Sequence, residues 1–91
     1  MDFEHREFGK MVTADFLQKD AEPFAAEGKR LIGEPKVVYD GGMVRKAIEL
    51  KIILEPRMEP DEVEKLPPAK VRWMADNLAR AFMEALSVPP A

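Results

Sequence analysis

The chain contains no cysteine, which excludes disulfide staples, zinc fingers and thiol chemistry. Uncharged polar side chains are almost absent: Thr13, Gln18, Asn77 and Ser87 are the sole members of their types. The single histidine, His5, stands near the start and the single serine near the end, so a hydroxyl nucleophile with its imidazole base lacks its parts. His5 has only the loose carboxylates Asp2, Glu4 and Glu7 around it, whereas a metal site needs three or four converging ligands. Gly41-Gly42 follows an aspartate and reads as a turn rather than a phosphate cradle. No enzyme, metal or cofactor is expected. No apolar run reaches the roughly 18 residues of a membrane span, and MDFEHREFGK is too charged for a signal peptide. The chain is read as cytoplasmic, with no membrane partner.

What is present is one small domain of 91 residues, with residues 1–10 and 88–91 as candidates for loose ends. A chain this short buries about two-thirds of its unfolded surface, so its core is modest. Hydrophobic residues at 46% are ordinary for a globular protein, and charged residues at 34% are abundant. Scarce amides with many Glu, Lys and Arg and eight prolines suit a thermophile, although six methionines weigh against it. The net charge of −3 gives no global reason to bind nucleic acid. The charge is uneven, however: residues 36–58 carry five basic and three acidic groups, whereas both flanking segments are net acidic.

Residues 3–12 hold a weak strand pattern. Thr13 is placed to cap a short helix with Phe16 and Leu17 buried, Pro23 to break it and Gly28 to stop it. GKRLIGEPKVVYD, residues 28–40, reads as a strand interrupted at Gly33 and Pro35. Asp40-Gly41-Gly42 reads as a hairpin turn. In residues 43–55, Val44, Ile48, Leu50, Ile52 and Leu54 share one face, and Arg45, Ala47, Glu49, Lys51, Ile53 and Glu55 share the other. That alternation predicts a long strand with one buried face, and Lys46 is its exception. Pro60, Asp61 and Glu62 begin a short helix over 59–66. The segment from Pro68 to Ser87 is either one helix, with Val71, Met74, Leu78, Phe82 and Ala85 on a stripe, or a strand over Lys70–Met74 followed by a helix. Pro89 and Pro90 predict an extended tail.

The expected fold is α+β: a small curved antiparallel sheet of three to four strands, with short helices and a C-terminal helix packed on one face. Its expected core is Phe16, Leu31, Val37, Ile48, Leu50, Ile52, Leu54, Leu78 and Phe82. The candidate working surface is the wet face of the hairpin. Lys36, Tyr39, Arg45, Lys51, Arg57, Arg72 and Trp73 are its candidate contacts, with cations for phosphates and aromatics for stacked bases of single-stranded DNA or RNA. The bland reading is that Glu49 and Lys51 are ordinary surface charges and Trp73 packs in the core. A long edge strand also invites pairing with a second copy, which makes a homodimer or another protein–protein contact the alternative.

Ile32-Gly33-Glu34-Pro35-Lys36, the Arg45–Leu54 segment, Trp73, Asn77 and the Leu78–Leu86 helix, preceded by MVTADFL, resemble small proteins of archaea, archaeal viruses and phages with a single-strand-binding-like OB domain. The resemblance spans about residues 11–86. It implies an OB-like sheet, a strand at Lys70–Met74 and, by analogy, nucleic-acid binding. The family pattern runs on past the helix into a glycine and another strand that this sequence does not show, so an open sheet is expected as readily as a closed barrel.

Overall fold

The computed structural model describes residues 1–87. Its elements are β1 (Asp2–His5), β2 (Gly9–Thr13), α1 (Gln18–Arg30), α2 (Lys36–Glu49), β3 (Ile53–Glu55), a 3-10 turn of helix (Pro60–Lys65) and α3 (Pro68–Leu86). The class is α+β, with an open three-stranded antiparallel sheet in the order β1-β2-β3. Phe3 lies opposite Met11 in the β1–β2 register. Phe3, Met11, Thr13 and Ile53 are all buried.

The first ten residues are not a loose end: they form the β1–β2 hairpin, and the amino terminus donates to Thr13 O at 2.7 Å. His5 closes the turn, with Nδ1 accepting from the backbone N–H groups of Glu7 and Phe8. Thr13 ends β2 rather than capping a helix. The helix starts after Leu17, where the Asp20 carboxylate accepts from the Leu17 N–H at 3.2 Å. Leu17 is consequently exposed while Phe16 is buried. Pro23 and Gly28 both lie inside α1. Pro23 stands in the helix's second turn, and the chain leaves helix only after Arg30. Gly33 then takes φ +91°, a left-handed conformation suited to glycine.

The largest correction concerns residues 28–55. The expected strands over 28–40 and 43–55 and the turn at Asp40-Gly41-Gly42 do not form; Lys36–Glu49 is one helix. The segment quoted for the OB resemblance, Arg45–Leu54, is therefore helical as far as Glu49. Of the face expected to be buried, Val44 and Ile52 are buried, Ile48 and Leu50 are only half-buried, and Leu54 is exposed. The truly buried side chains, Met43, Val44 and Ala47, follow helical spacing. The paired glycines are tolerated because α2 is the central helix, packed against α1, α3 and the 3-10 turn. At Gly42 a Cβ would stand 2.4 Å from Leu31 Cδ1, so the chains approach too closely there for a side chain.

Helix α2 ends in a Schellman motif: Ile52 N–H reaches Ala47 O at 2.9 Å and Lys51 N–H reaches Ile48 O at 3.0 Å. Lys51 holds the left-handed position with φ +61°. The strand that follows has three residues, not twelve, and ends before Pro56.

Helix α3 is a single helix from Pro68, so Lys70–Met74 is not a strand. Its inward stripe runs Val71, Met74, Ala75, Leu78 and Ala81, with Phe82 partly buried; Ala85 is exposed and lies outside it. Of the expected core, Phe16, Leu31, Ile52 and Leu78 are buried. Ile48, Leu50 and Phe82 pack against the core, and Val37 and Leu54 are exposed at 65% and 50%. Val37 stands in the first turn of α2, outside the interhelical contact. The expected tail at Pro89 and Pro90 lies outside the described residues.

Candidate functional site

Three helices converge on a groove of about 380 Å³, lined by Phe24 and Gly28 of α1, Lys36, Tyr39, Asp40 and Met43 of α2, and Ala75, Asp76, Ala79 and Phe82 of α3. Ile32 and Met83 stand at its margin and are 76% and 61% exposed. Lys36, Tyr39, Asp40 and Met43 fall at i, i+3, i+4 and i+7, so one stripe of α2 forms the wall. The floor is aromatic: the Phe24 and Phe82 ring centroids are 5.2 Å apart, and both lie within 5.3 Å of Phe16. Gly28 makes room for Tyr39; a Cβ there would sit 3.3 Å from the tyrosine hydroxyl.

The polar end of the groove is one ion-paired cluster. Asp40 is the only charged residue buried among the described residues, at 3% exposure. Lys36 Nζ lies 2.5 Å from its Oδ1 and 3.9 Å from Asp76 Oδ1. The Lys36 ammonium also stands 5.4 Å from the Tyr39 ring centroid, within cation–π range. Arg72 approaches Asp76 from the outer side at 4.0 Å. A buried carboxylate is costly without a partner, and Lys36 is the one side chain that donates to it among the described residues.

The structure divides the seven candidate contacts. Lys36 and Tyr39 enter the groove. Arg45 lies on the opposite flank of α2, its guanidinium near Gly41, and lines a smaller cavity of about 150 Å³ with Val63 and Val71. Lys51 is exposed at the end of α2, and Arg57 is exposed between β3 and the 3-10 turn. Arg72 is exposed on α3 beside Asp76. Trp73 is half-buried, its ring 5.7 Å from His5 and 6.0 Å from Phe8, and Asn77 donates to its carbonyl at 2.9 Å. The hairpin that was to join these residues on one face is absent.

Reading Asp40 as a turn residue hid the groove. The signal available was the Lys36/Asp40 pair at i, i+4, which is a helical spacing. Phe24, Met43 and Phe82 carry no chemical signature in sequence and enter the site only through helix packing. Among the described residues no group of three His, Asp or Glu side chains converges to hold a metal ion, and no helix is long and apolar enough to cross a membrane. Comparison with known protein families, with curated proteins and with solved structures finds no match for this chain.

Proposed function

We propose that this protein is a non-enzymatic binding module and that its binding site is the groove between α1, α2 and α3. The observation that carries the reading is the groove itself: about 380 Å³ of mostly apolar wall with one buried carboxylate, Asp40, in its lining. Small-molecule sites are concave, occupy about 300–1,000 Å³ and combine apolar lining with a few placed polar groups. The groove has that size and that division. Its occupant is a small amphiphile, with its apolar body over Ile32, Phe82 and Met83 and its polar end at Asp40 and Lys36.

The nucleic-acid reading drew on seven residues that lie in several places, and four of its cations stand outside the groove. Oligothymidine therefore enters as the competing occupant in the test. The test is a nuclear magnetic resonance titration with 1-octanol, repeated with oligothymidine at low salt, on wild type and on Ala79→Phe. Ala79 is exposed and lines the groove, so a phenyl ring there fills the groove without entering the core. A buried methylene contributes about 0.8 kcal/mol, and association costs several kcal/mol. Octanol binding is accordingly expected to be weak, on the order of millimolar. Amide shifts should centre on Gly28, Met43, Ala79 and Phe82 and should disappear in Ala79→Phe. Shifts with oligothymidine alone, or octanol shifts that survive Ala79→Phe, would contradict the groove reading.

A further inference from the structure

We propose that the groove selects amphiphiles with a cationic head, and that Lys36 is the chain's own occupant of the cation position. The inference rests on the groove being the binding site. In the ion pair that lines the groove, Asp40 is fixed and Lys36 is detachable. The Asp40 carboxylate is 4% exposed and held by the packing of the central helix. The Lys36 side chain is 53% exposed, hangs on a flexible four-carbon stem and starts from the first residue of α2. The fixed group sets specificity because it cannot move away from a ligand that fails to pair with it.

An anionic head would face the immobile Asp40 carboxylate with only the mobile Lys36 and Lys29 to pair with, and an uncharged head would compete with an ion pair for Asp40. An ammonium or guanidinium head replaces Lys36 like for like. The released lysine has somewhere to go: its Nζ is already 3.9 Å from Asp76 Oδ1, and that carboxylate is 61% exposed. The head-group exchange is then close to neutral, and covering the exposed Ile32 and Met83 side chains and the half-buried Phe82 ring supplies the drive. Lys29 of α1 also lines the groove and is exposed. The charged groups that line the groove are thus Asp40 and Lys36 from α2, Asp76 from α3 and Lys29 from α1, and only Asp40 is immobilised by burial.

The sign of one substitution is distinctive. Removing a lysine from a binding site ordinarily weakens or spares binding; here Lys36→Met removes an internal competitor. The experiment compares octylammonium, 1-octanol and octanoate, followed by the amide shifts of Gly28 and Phe82. In wild type octylammonium should bind tightest and octanoate weakest. Lys36→Met should tighten octylammonium about tenfold and change octanol less than twofold. Asp40→Asn should bring octylammonium down to the level of octanol. Octanoate binding tightest in wild type, or octylammonium unchanged by Lys36→Met, would overturn the inference; should that variant fail to fold, the order of the three probes in wild type decides it. Octanol binding with no preference for the amine would defeat this inference and leave the groove reading standing. Binding of none of the three would defeat both.

Discussion

At the scale of single residues, two positions carry sharp expectations. Lys51 holds φ +61° at the end of α2, where a side chain costs about 1–2 kcal/mol relative to the right-handed conformation. Lys51→Gly removes that cost and adds back part of it as unfolded-chain entropy. It should stabilise the protein by about 0.5–1 kcal/mol in urea denaturation. The second position is Glu27, whose side chain is 18% exposed. A hydrogen bond from Arg30 Nε to Glu27 Oε1 holds the carboxyl below its ordinary range; partial burial opposes this, and the charges of Arg30, Lys46 and Arg45 assist it. A carboxyl depressed in the folded state contributes stability above its unfolded value and loses that contribution as pH falls through the folded one. Glu27→Gln should therefore be slightly less stable at neutral pH, and its stability should fall less steeply in acid. Denaturation midpoints measured from neutral pH down into the carboxylate range check both statements.

At the scale of elements, the helix at Lys36–Glu49 is where sequence and structure part. Its interior holds Asp40-Gly41-Gly42, which in isolation favours a turn over a helix, and helix propensity disfavours each glycine by about 1 kcal/mol. Tertiary packing outweighs that cost, because the two glycines let α2 lie in the centre of the molecule. Gly42→Ala tests this directly. Propensity alone predicts a gain of about 1 kcal/mol, but the new methyl would stand 2.4 Å from buried Leu31. Overpacking costs typically about 1–3 kcal/mol, so the variant should melt earlier and unfold at lower urea. Elements whose signals are local were legible: the helix from Asn77 to Leu86, the short helix after Glu59, the buried Phe16, Leu78 and Ile52, and the presence of an antiparallel sheet, whereas the first turns of α3 were left open between helix and strand. Those set by close approach of distant segments were not. Neither the contact of Gly42 with Leu31 nor the meeting of Phe24 with Phe82 has a signature within a ten-residue window. The alternation from Val44 to Leu54 misled because Val44 and Ile48 are also one helical turn apart, and Lys46 on the apolar side was the sign of the wrong period. The aromatic cluster of His5, Phe8 and Trp73 was hidden for a similar reason, since it joins the first hairpin to α3.

At the scale of the whole molecule, a three-stranded sheet packs with three α-helices, and the groove of about 380 Å³ is lined by residues of all three helices. The candidate site was half legible: Lys36 and Tyr39 were singled out, although for a different surface, and Asp40 and the phenylalanines were not. The central claim is that this groove takes the apolar body of a small amphiphile. Intermolecular nuclear Overhauser effects between 1-octanol and the protein test it most directly. Contacts are expected from the octanol methylenes to the methyl groups of Ile32 and Met83 and to the Phe82 ring. Contacts confined to Trp73 and Phe8, or to the exposed side chains of Val37 and Leu54, would contradict it.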